Sequence, residues 1–291
     1  GATVPICTFT LENAHNPEYL GGYIKLSDFK GSENQAPKTL EAIKNKDCGW
    51  FYKVNNNNFE KIPGFPIAFS LSAHLFNSFE TYENLGTLSD LKQGMATTDA
   101  DRFVRLWSEV NNCKIGFNCS NSFEAYEKNA FWFPFNKGGQ YRKWYGNNEN
   151  IVRYEDDGKI LLDLVREKYP KISDPEFVIK NRKRYFLESV TYTAISSSHF
   201  GVRIMPQGFI FSVAGPVIQS NKVDNKILLA MLLSKVAKEI IKVLSPTLNF
   251  QSSDLEKIPV NSIFISNNNT TQNLENIVQN LIDLSKQDWD S

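Results

Sequence analysis

The sequence predicts an α+β protein: a mixed β-sheet domain with flanking helices, preceded by a small β-rich segment and followed by a terminal helix. Three observations lead there. Short runs rich in β-branched and aromatic residues recur between Gly and Pro punctuation. The run from about Asn225 to Leu244 places Ile227, Leu228, Met231, Leu232, Val236, Ile240 and Val243 at helical spacing and stops before Pro246. Leu274, Ile277, Leu281 and Leu284 then close the chain at spacings of three, four and three, the pattern of a narrow hydrophobic seam.

In chain order, strands are expected at Val4–Leu11, Tyr23–Leu26, Trp50–Val54 and Ile67–Ser70, with a helix over Pro37–Asn45. A helix from Thr98 or Asp99 through Val110 follows, capped by either residue, with Phe103, Leu106, Trp107 and Val110 as its apolar stripe. Further strands are expected at Lys114–Asn118, Ile151–Tyr154, Phe177–Lys180, Arg203–Met205 and Phe209–Val213. After Pro259 come a short strand, Ser262–Ile265, an Asn-rich turn at Asn267–Asn269, and a final helix capped near Thr270 or Thr271. These elements group as a β-rich segment over 1–86, a larger domain over 87–260 and a strand-plus-helix tail over 261–291.

Length and composition set limits on function. At 291 residues, 41% hydrophobic and 22% charged, the chain is globular rather than disordered and can bury a substantial core. Thirty-two basic and thirty-two acidic residues cancel, so binding to nucleic acid through overall charge is not supported; a DNA-binding face has to be local. Cys7, Cys48, Cys113 and Cys119 show no Cys-x-x-Cys pair, and the three His residues lie far apart, so no metal is predicted and reduced thiols are expected in a cytoplasmic protein. The longest apolar run, Ile227–Leu233, is too short to span a bilayer. There is no initiator Met, and the β-like opening Ala2–Leu11 reads as the interior of a longer protein.

Catalytic patterns are weak. Asp174-Pro-Glu-Phe-Val-Ile-Lys180 does not match the Glu-x-Lys element of metal nucleases. Ser196-Ser-Ser-His199 lacks a nucleophile elbow and reads as a polar loop. The most informative segment is Phe131-Trp-Phe-Pro-Phe-Asn-Lys-Gly-Gly-Gln-Tyr-Arg-Lys-Trp-Tyr-Gly-Asn-Asn148. Lys137, Arg142 and Lys143 can neutralise phosphates, Gln140, Asn147 and Asn148 can bond base edges or phosphate oxygens, and Gly138-Gly139 lets another backbone approach. A buried aromatic strand followed by a glycine turn and a second strand with solvated cations explains the same text.

That segment, continued as Ile151-Val-Arg-Tyr-Glu-Asp-Asp-Gly-Lys159, resembles large adenine-specific DNA methyltransferases of the BREX phage-exclusion type and related type II restriction-modification enzymes. Gly22-Tyr-Ile-Lys-Leu-Ser-Asp-Phe-Lys-Gly31, Phe59-Glu-Lys-Ile-Pro-Gly-Phe-Pro-Ile-Ala68 and Lys92-Gln-Gly-Met-Ala-Thr-Thr-Asp-Ala-Asp-Arg-Phe103 match in order, where such enzymes run from catalytic core into target recognition. Thr191–Phe211 and Pro246–Pro259 are similar to the end of recognition domains in type I specificity subunits. The resemblance implies that 1–86 continues from a methyltransferase domain, that 87–260 recognises DNA, and that the last helix is comparable to a spacer. It further implies double-stranded DNA as partner, together with the catalytic domain of the same parent chain and other defence-system subunits.

An adenine methyltransferase needs a loop for S-adenosylmethionine and an Asn/Asp-Pro-Pro-aromatic motif for the flipped base. The nearest text, Asn16-Pro-Glu-Tyr19, has Glu18 in place of the second Pro, so S-adenosylmethionine is expected in a catalytic domain elsewhere and no catalytic residue here. The candidate DNA contacts are Lys137, Gln140, Arg142, Lys143, Asn147, Arg182, Arg184, Ser197, His199 and Arg203, with Trp144 and Tyr145 stacking or packing beside them. The run Arg182-Lys183-Arg184 is open to two readings, a phosphate contact or a solvated face. A protein-interaction module of a defence complex is the alternative for the whole chain.

Overall fold

The computed structural model describes residues 7–14, 16–196, 199–247, 249–266 and 269–291, and the α+β class holds. The chain divides into two compact units, Gly1–Asn77 and Ser78–Ser291. In the first, strands β1 (Leu20–Ile24) and β2 (Phe51–Asn55) pair antiparallel, with helix α1 (Ser32–Lys44) between them in sequence. Tyr23 stacks on Phe69 at 5.0 Å and meets Phe59 edge-on at 5.8 Å, so aromatic packing supplies much of this small core. Helix α2 is Ala73–Thr81.

The second unit carries two four-stranded sheets. The first has the order β10 (Ile210–Phe211), β6 (Trp132–Asn136), β7 (Asn150–Arg153), β5 (Val104–Leu106); β10 and β6 are parallel and the other pairs antiparallel, a mixed sheet as the sequence predicts. The second is antiparallel throughout, in the order β4 (Asp90–Lys92), β11 (Val217–Gln219), β8 (Ser189–Tyr192), β9 (Val202–Met205). A two-residue pair joins β3 (Glu83–Asn84) to β12 (Pro259–Val260). Phe133, Phe135, Tyr154, Tyr185, Phe186 and Phe211 lie in one buried aromatic cluster, against which α6 (Glu155–Lys168) sets Leu161 and Val165, an i, i+4 pair on one face.

Several predicted elements take other forms. Asp99 does cap a helix, accepting from Arg102 N at 3.1 Å, but α4 (Ala100–Phe103) stops after one turn because Val104–Leu106 pairs with β7 instead. The expected single helix Asn225–Leu244 is two, α7 (Asn225–Leu233) and α8 (Lys235–Leu244), broken at Ser234, whose extended backbone ends one while its hydroxyl accepts from Ala237 N at 3.0 Å and caps the next. Helix α1 begins at Ser32, ahead of the predicted Pro37.

Lys114–Asn118 forms only an isolated bridge from Ile115 to Trp132, and Asn118 turns left-handed. Ile67–Ser70 is irregular. Phe177–Lys180 opens on a 3-10 turn capped by Asp174, and Ser262–Phe264 is likewise a 3-10 turn. Of Val4–Leu11, Val4–Ile6 lies outside the described residues and 7–11 is irregular. Of the Asn-rich turn, 267–268 lies outside them too, and the terminal helix α10 (Asn269–Asp290) begins one residue before Thr270.

Candidate nucleic-acid interface

Strand β6 delivers the segment 137–148, and its last residue, Asn136, fixes where that segment starts. Asn136 is 2% exposed and links the first sheet to Thr191 on β8 of the second. Its amide donates to Thr191 Oγ1 at 2.6 Å and to Gly215 O at 3.0 Å, while its Oδ1 accepts from Gly138 N at 3.3 Å and from Arg203 Nη2 at 3.0 Å. Arg203, 1% exposed on β9, also donates from Nη2 to Gly138 O at 3.1 Å. Burial pushes its guanidinium down to about 10, against the opposing pull of Glu149, so it still carries its charge near neutrality. A buried cation of this kind persists only with its donors satisfied by oriented acceptors.

The paired glycines serve the chain's own packing. Gly138 and Gly139 have φ of +87° and +124°, a region costly for other residues. A Cβ on Gly138 would lie 2.7 Å from Ala214 O, and one on Gly139 2.8 Å from Asn147 Cγ. The backbone that approaches Gly138 is thus that of Ala214. Further along, Trp144 N donates to Val202 O at 3.0 Å and Trp144 O accepts from Ile204 N at 2.8 Å, which lays the segment along the outer edge of β9.

This frame brings seven of the ten candidates together. Lys137, Gln140 and Lys143 are exposed. Asn147 is buried and its amide donates to Gln140 O at 2.9 Å, closing the loop on itself. His199 is exposed, with its ring 5.8 Å from that of Tyr141. Arg203 meets the loop from beneath. Arg142 is half-buried: it pairs with Asp288 at 2.9 Å and stacks over Trp289 at 4.7 Å, so the end of α10 holds this cation.

Arg182 and Arg184 belong to other networks. Arg182 donates to Tyr154 Oη at 3.1 Å, to Asp157 O at 2.8 Å and to the Asp157 carboxylate, and pairs with Glu176 at 3.3 Å. Burial opposes its charge, but these partners outweigh it and raise its pKa; burial pushes the Tyr154 phenol up as well. Arg184 pairs with the Asp90 carboxylate and donates to Gln219 Oε1 at 3.3 Å. Ser197 lies outside the described residues. Sequence reasoning did not select Asn136, Tyr141, Asp288 or Trp289. A polar residue ending an aromatic strand just before Gly-Gly is a usable signal for Asn136, whereas nothing local marks a partner for Arg142 that lies 146 positions away.

The arrangement is a rigidly seated loop presenting two exposed lysines and an amide, with histidine and tyrosine rings alongside. Such a surface can bind phosphates and polar base edges. Among the described residues no group of His, Cys, Asp or Glu could hold a metal ion, and no helix is long and apolar enough to cross a membrane.

No protein-family model matches the chain. It is 31% identical over 296 residues, covering its whole length, to the adenine-specific methyltransferase PglX of Lacticaseibacillus casei (strain Zhang), and 33% identical over 294 residues to the adenine-specific methyltransferase BrxX of Escherichia coli O9:H4 (strain HS). It spans 24% and 22% of those two proteins. Among solved structures, the type IIG restriction endonuclease BpuSI aligns at 12% identity and a TM-score of 0.41, over 84% of this chain and 33% of that one. The resemblance read from the sequence therefore holds: this chain is related, along its full length, to a segment making up about a quarter of the BREX-type adenine-specific methyltransferases.

Proposed function

We propose that the chain is a DNA sequence-recognition segment of an adenine-specific DNA methyltransferase working in phage defence or restriction-modification, and that it carries no catalytic residue of its own. The supporting observation is a combination. The whole chain aligns with two adenine-specific methyltransferases, yet its 291 residues contain no Asn/Asp-Pro-Pro-aromatic motif with which to hold a flipped adenine. In this reading the methyl transfer and the S-adenosylmethionine site belong to the rest of a longer cytoplasmic protein, and this segment positions the target duplex. Lys137 and Lys143 anchor phosphates, with Gln140 and His199 exposed beside them as further polar contacts to the duplex backbone. Asn136 and Arg203 act as positioning residues that fix the loop.

The test is selection of random duplexes by the chain at low and moderate salt, followed by sequencing of the retained DNA. A short motif containing adenine is the expected outcome. Retention with no sequence preference in both this chain and a longer protein containing it would overturn recognition. The second reading, a protein-interaction module, draws on Ile277 and Leu284, 56% and 61% exposed on α10. It predicts salt-insensitive association with a protein subunit instead.

A further inference from the structure

Away from the 137–148 loop, the second unit contains a cleft of about 550 Å³ where the turn 86–90, the segment 184–188 and the segment 219–225 converge. That volume lies within the usual range for small-molecule sites. Its lining is polar and balanced. Arg184 and Lys222 supply two positive charges, Asp90 and Glu188 two negative ones, and Asn221 and Asn225 add amides.

Arg184, Lys222, Asn225 and Gln219 are held in place by bonds, while Asn221 is exposed. The Arg184 guanidinium pairs with Asp90 and reaches Gln219 Oε1 at 3.3 Å, yet keeps 37% of its side-chain surface exposed. Lys222 Nζ donates to Thr87 O at 3.0 Å, and Asn225 donates to Glu188 Oε1 at 3.2 Å. Gln219 is fixed from behind, donating to Ser189 Oγ at 2.7 Å and to Arg184 O at 3.2 Å.

The charge balance discriminates among ligand classes. A phosphate site needs surplus positive charge and a cation site surplus negative charge, and this cleft has neither. A neutral planar group with donors and acceptors along one edge fits it. Arginine bonds the guanine O6/N7 edge, Asn or Gln the adenine N6/N7 edge, and a carboxylate the cytosine amine, and all three kinds of side chain line the cleft. We propose that the cleft formed by Asp90, Arg184, Glu188, Asn221, Lys222 and Asn225 is a nucleobase-edge site, the place where the chain reads bases, while the 137–148 loop grips phosphates. This assignment rests on the DNA-recognition reading above.

The test uses the full chain in two arms, with thermal unfolding confirming that each variant folds. In the first, duplex selection is run on the unaltered chain and on the double variant Asn221→Ala/Asn225→Ala. The expected result is roughly ten- to a hundred-fold lost discrimination at one or two base pairs, with the salt dependence of binding unchanged. A selected motif identical in both proteins overturns the cleft while leaving recognition by other residues intact. If the unaltered chain selects no motif, the recognition reading is what fails, and the second arm decides the cleft. There, ¹⁵N-labelled chain is titrated with each of the four free deoxynucleosides at millimolar concentration. Shifts in the Asn221 and Asn225 side-chain amide signals establish a free-nucleobase site; no shift with any nucleoside overturns it.

Discussion

Arg203 shows how one residue can carry a charge suited to DNA and spend it inside the protein. Its Nη2 donates to Asn136 Oδ1 and Gly138 O, its Nη1 to Thr193 Oγ1 at 3.4 Å, and it is 1% exposed. Replacing it with Met removes the donors, leaves Gly138 O without this partner and leaves Asn136 Oδ1 only its bond from Gly138 N, which costs about 1–3 kcal/mol by the penalty for an unsatisfied buried group. Arg203→Lys recovers only part of this, because one ammonium cannot reproduce the guanidinium fork. Urea denaturation checks both; a variant of unchanged stability but weakened DNA binding would instead place Arg203 on the phosphate-contacting surface. Glu124 offers a pH test. Its carboxylate accepts from the Ser120 hydroxyl at 2.6 Å, pairs with Lys128 at 2.9 Å and accepts from Ser120 N at 2.8 Å, and these bonds lower its pKa from 4.5 to about 2. A depressed carboxylate contributes stability that is complete above its unfolded value and lost as pH falls through its folded one. Glu124 should therefore contribute a small, solvent-screened part of the stability lost between pH 4.5 and about 2, and Glu124→Gln should remove that part. Equal acid sensitivity in the two proteins would show that other groups govern the window.

At the scale of elements, the terminal helix separates what periodicity specifies from what it leaves open. The spacing of Leu274, Ile277, Leu281 and Leu284 correctly marks a helix, but the buried apolar positions are Val278 and Ile282, with Leu274 and Leu281 half-buried and Ile277 and Leu284 exposed, and α10 packs against α7. Ile282→Ala is expected to cost about 2–4 kcal/mol, whereas Leu284→Ala should change stability by less than about 0.5 kcal/mol. Chemical denaturation of the two variants checks this, and the opposite ranking would mean that the seam is the packed face. The same distinction runs through the rest of the chain. Strand β6 is one of the two readings that the aromatic run before Gly-Gly leaves open, and the structure selects it, whereas β7 and β9 were legible from β-branched residues. Strands β8 and β11 were not, since each is a few residues long and defined by its neighbours in the sheet. Helix α6 was hidden by its entry, where Asp156, Asp157 and Gly158 all take left-handed backbone at φ of 50°, 54° and 76° and so remove any ordinary cap signal. Among the candidate contacts, the cluster around 137–148 was readable because it is local. The partners of Arg142, Arg182 and Arg184 were not, because each depends on residues brought close by the fold.

At the scale of the whole chain, charge balance governs how the proposed DNA binding should behave. With 32 basic and 32 acidic residues there is no net field to draw a polyanion in, so affinity depends on the few cations that remain exposed where binding occurs. Lys137 and Lys143 are exposed, whereas Arg142 is already paired with Asp288 and Arg203 is buried. Each phosphate neutralised contributes a slope of about −0.9 to the dependence of log affinity on log salt. The double variant Lys137→Ala/Lys143→Ala should therefore make that slope shallower by about 2, weaken binding to every duplex alike and leave the selected motif unchanged. Neither side chain lies in the core, so the unfolding temperature should not move. Fluorescence anisotropy titrations between roughly 50 and 200 mM salt cover the range in which such slopes are resolved. A slope identical to that of the unaltered chain would remove the loop from the interface. If binding weakens for some sequences only, the loop itself reads bases, and the separation between a phosphate-gripping loop and a base-reading cleft fails.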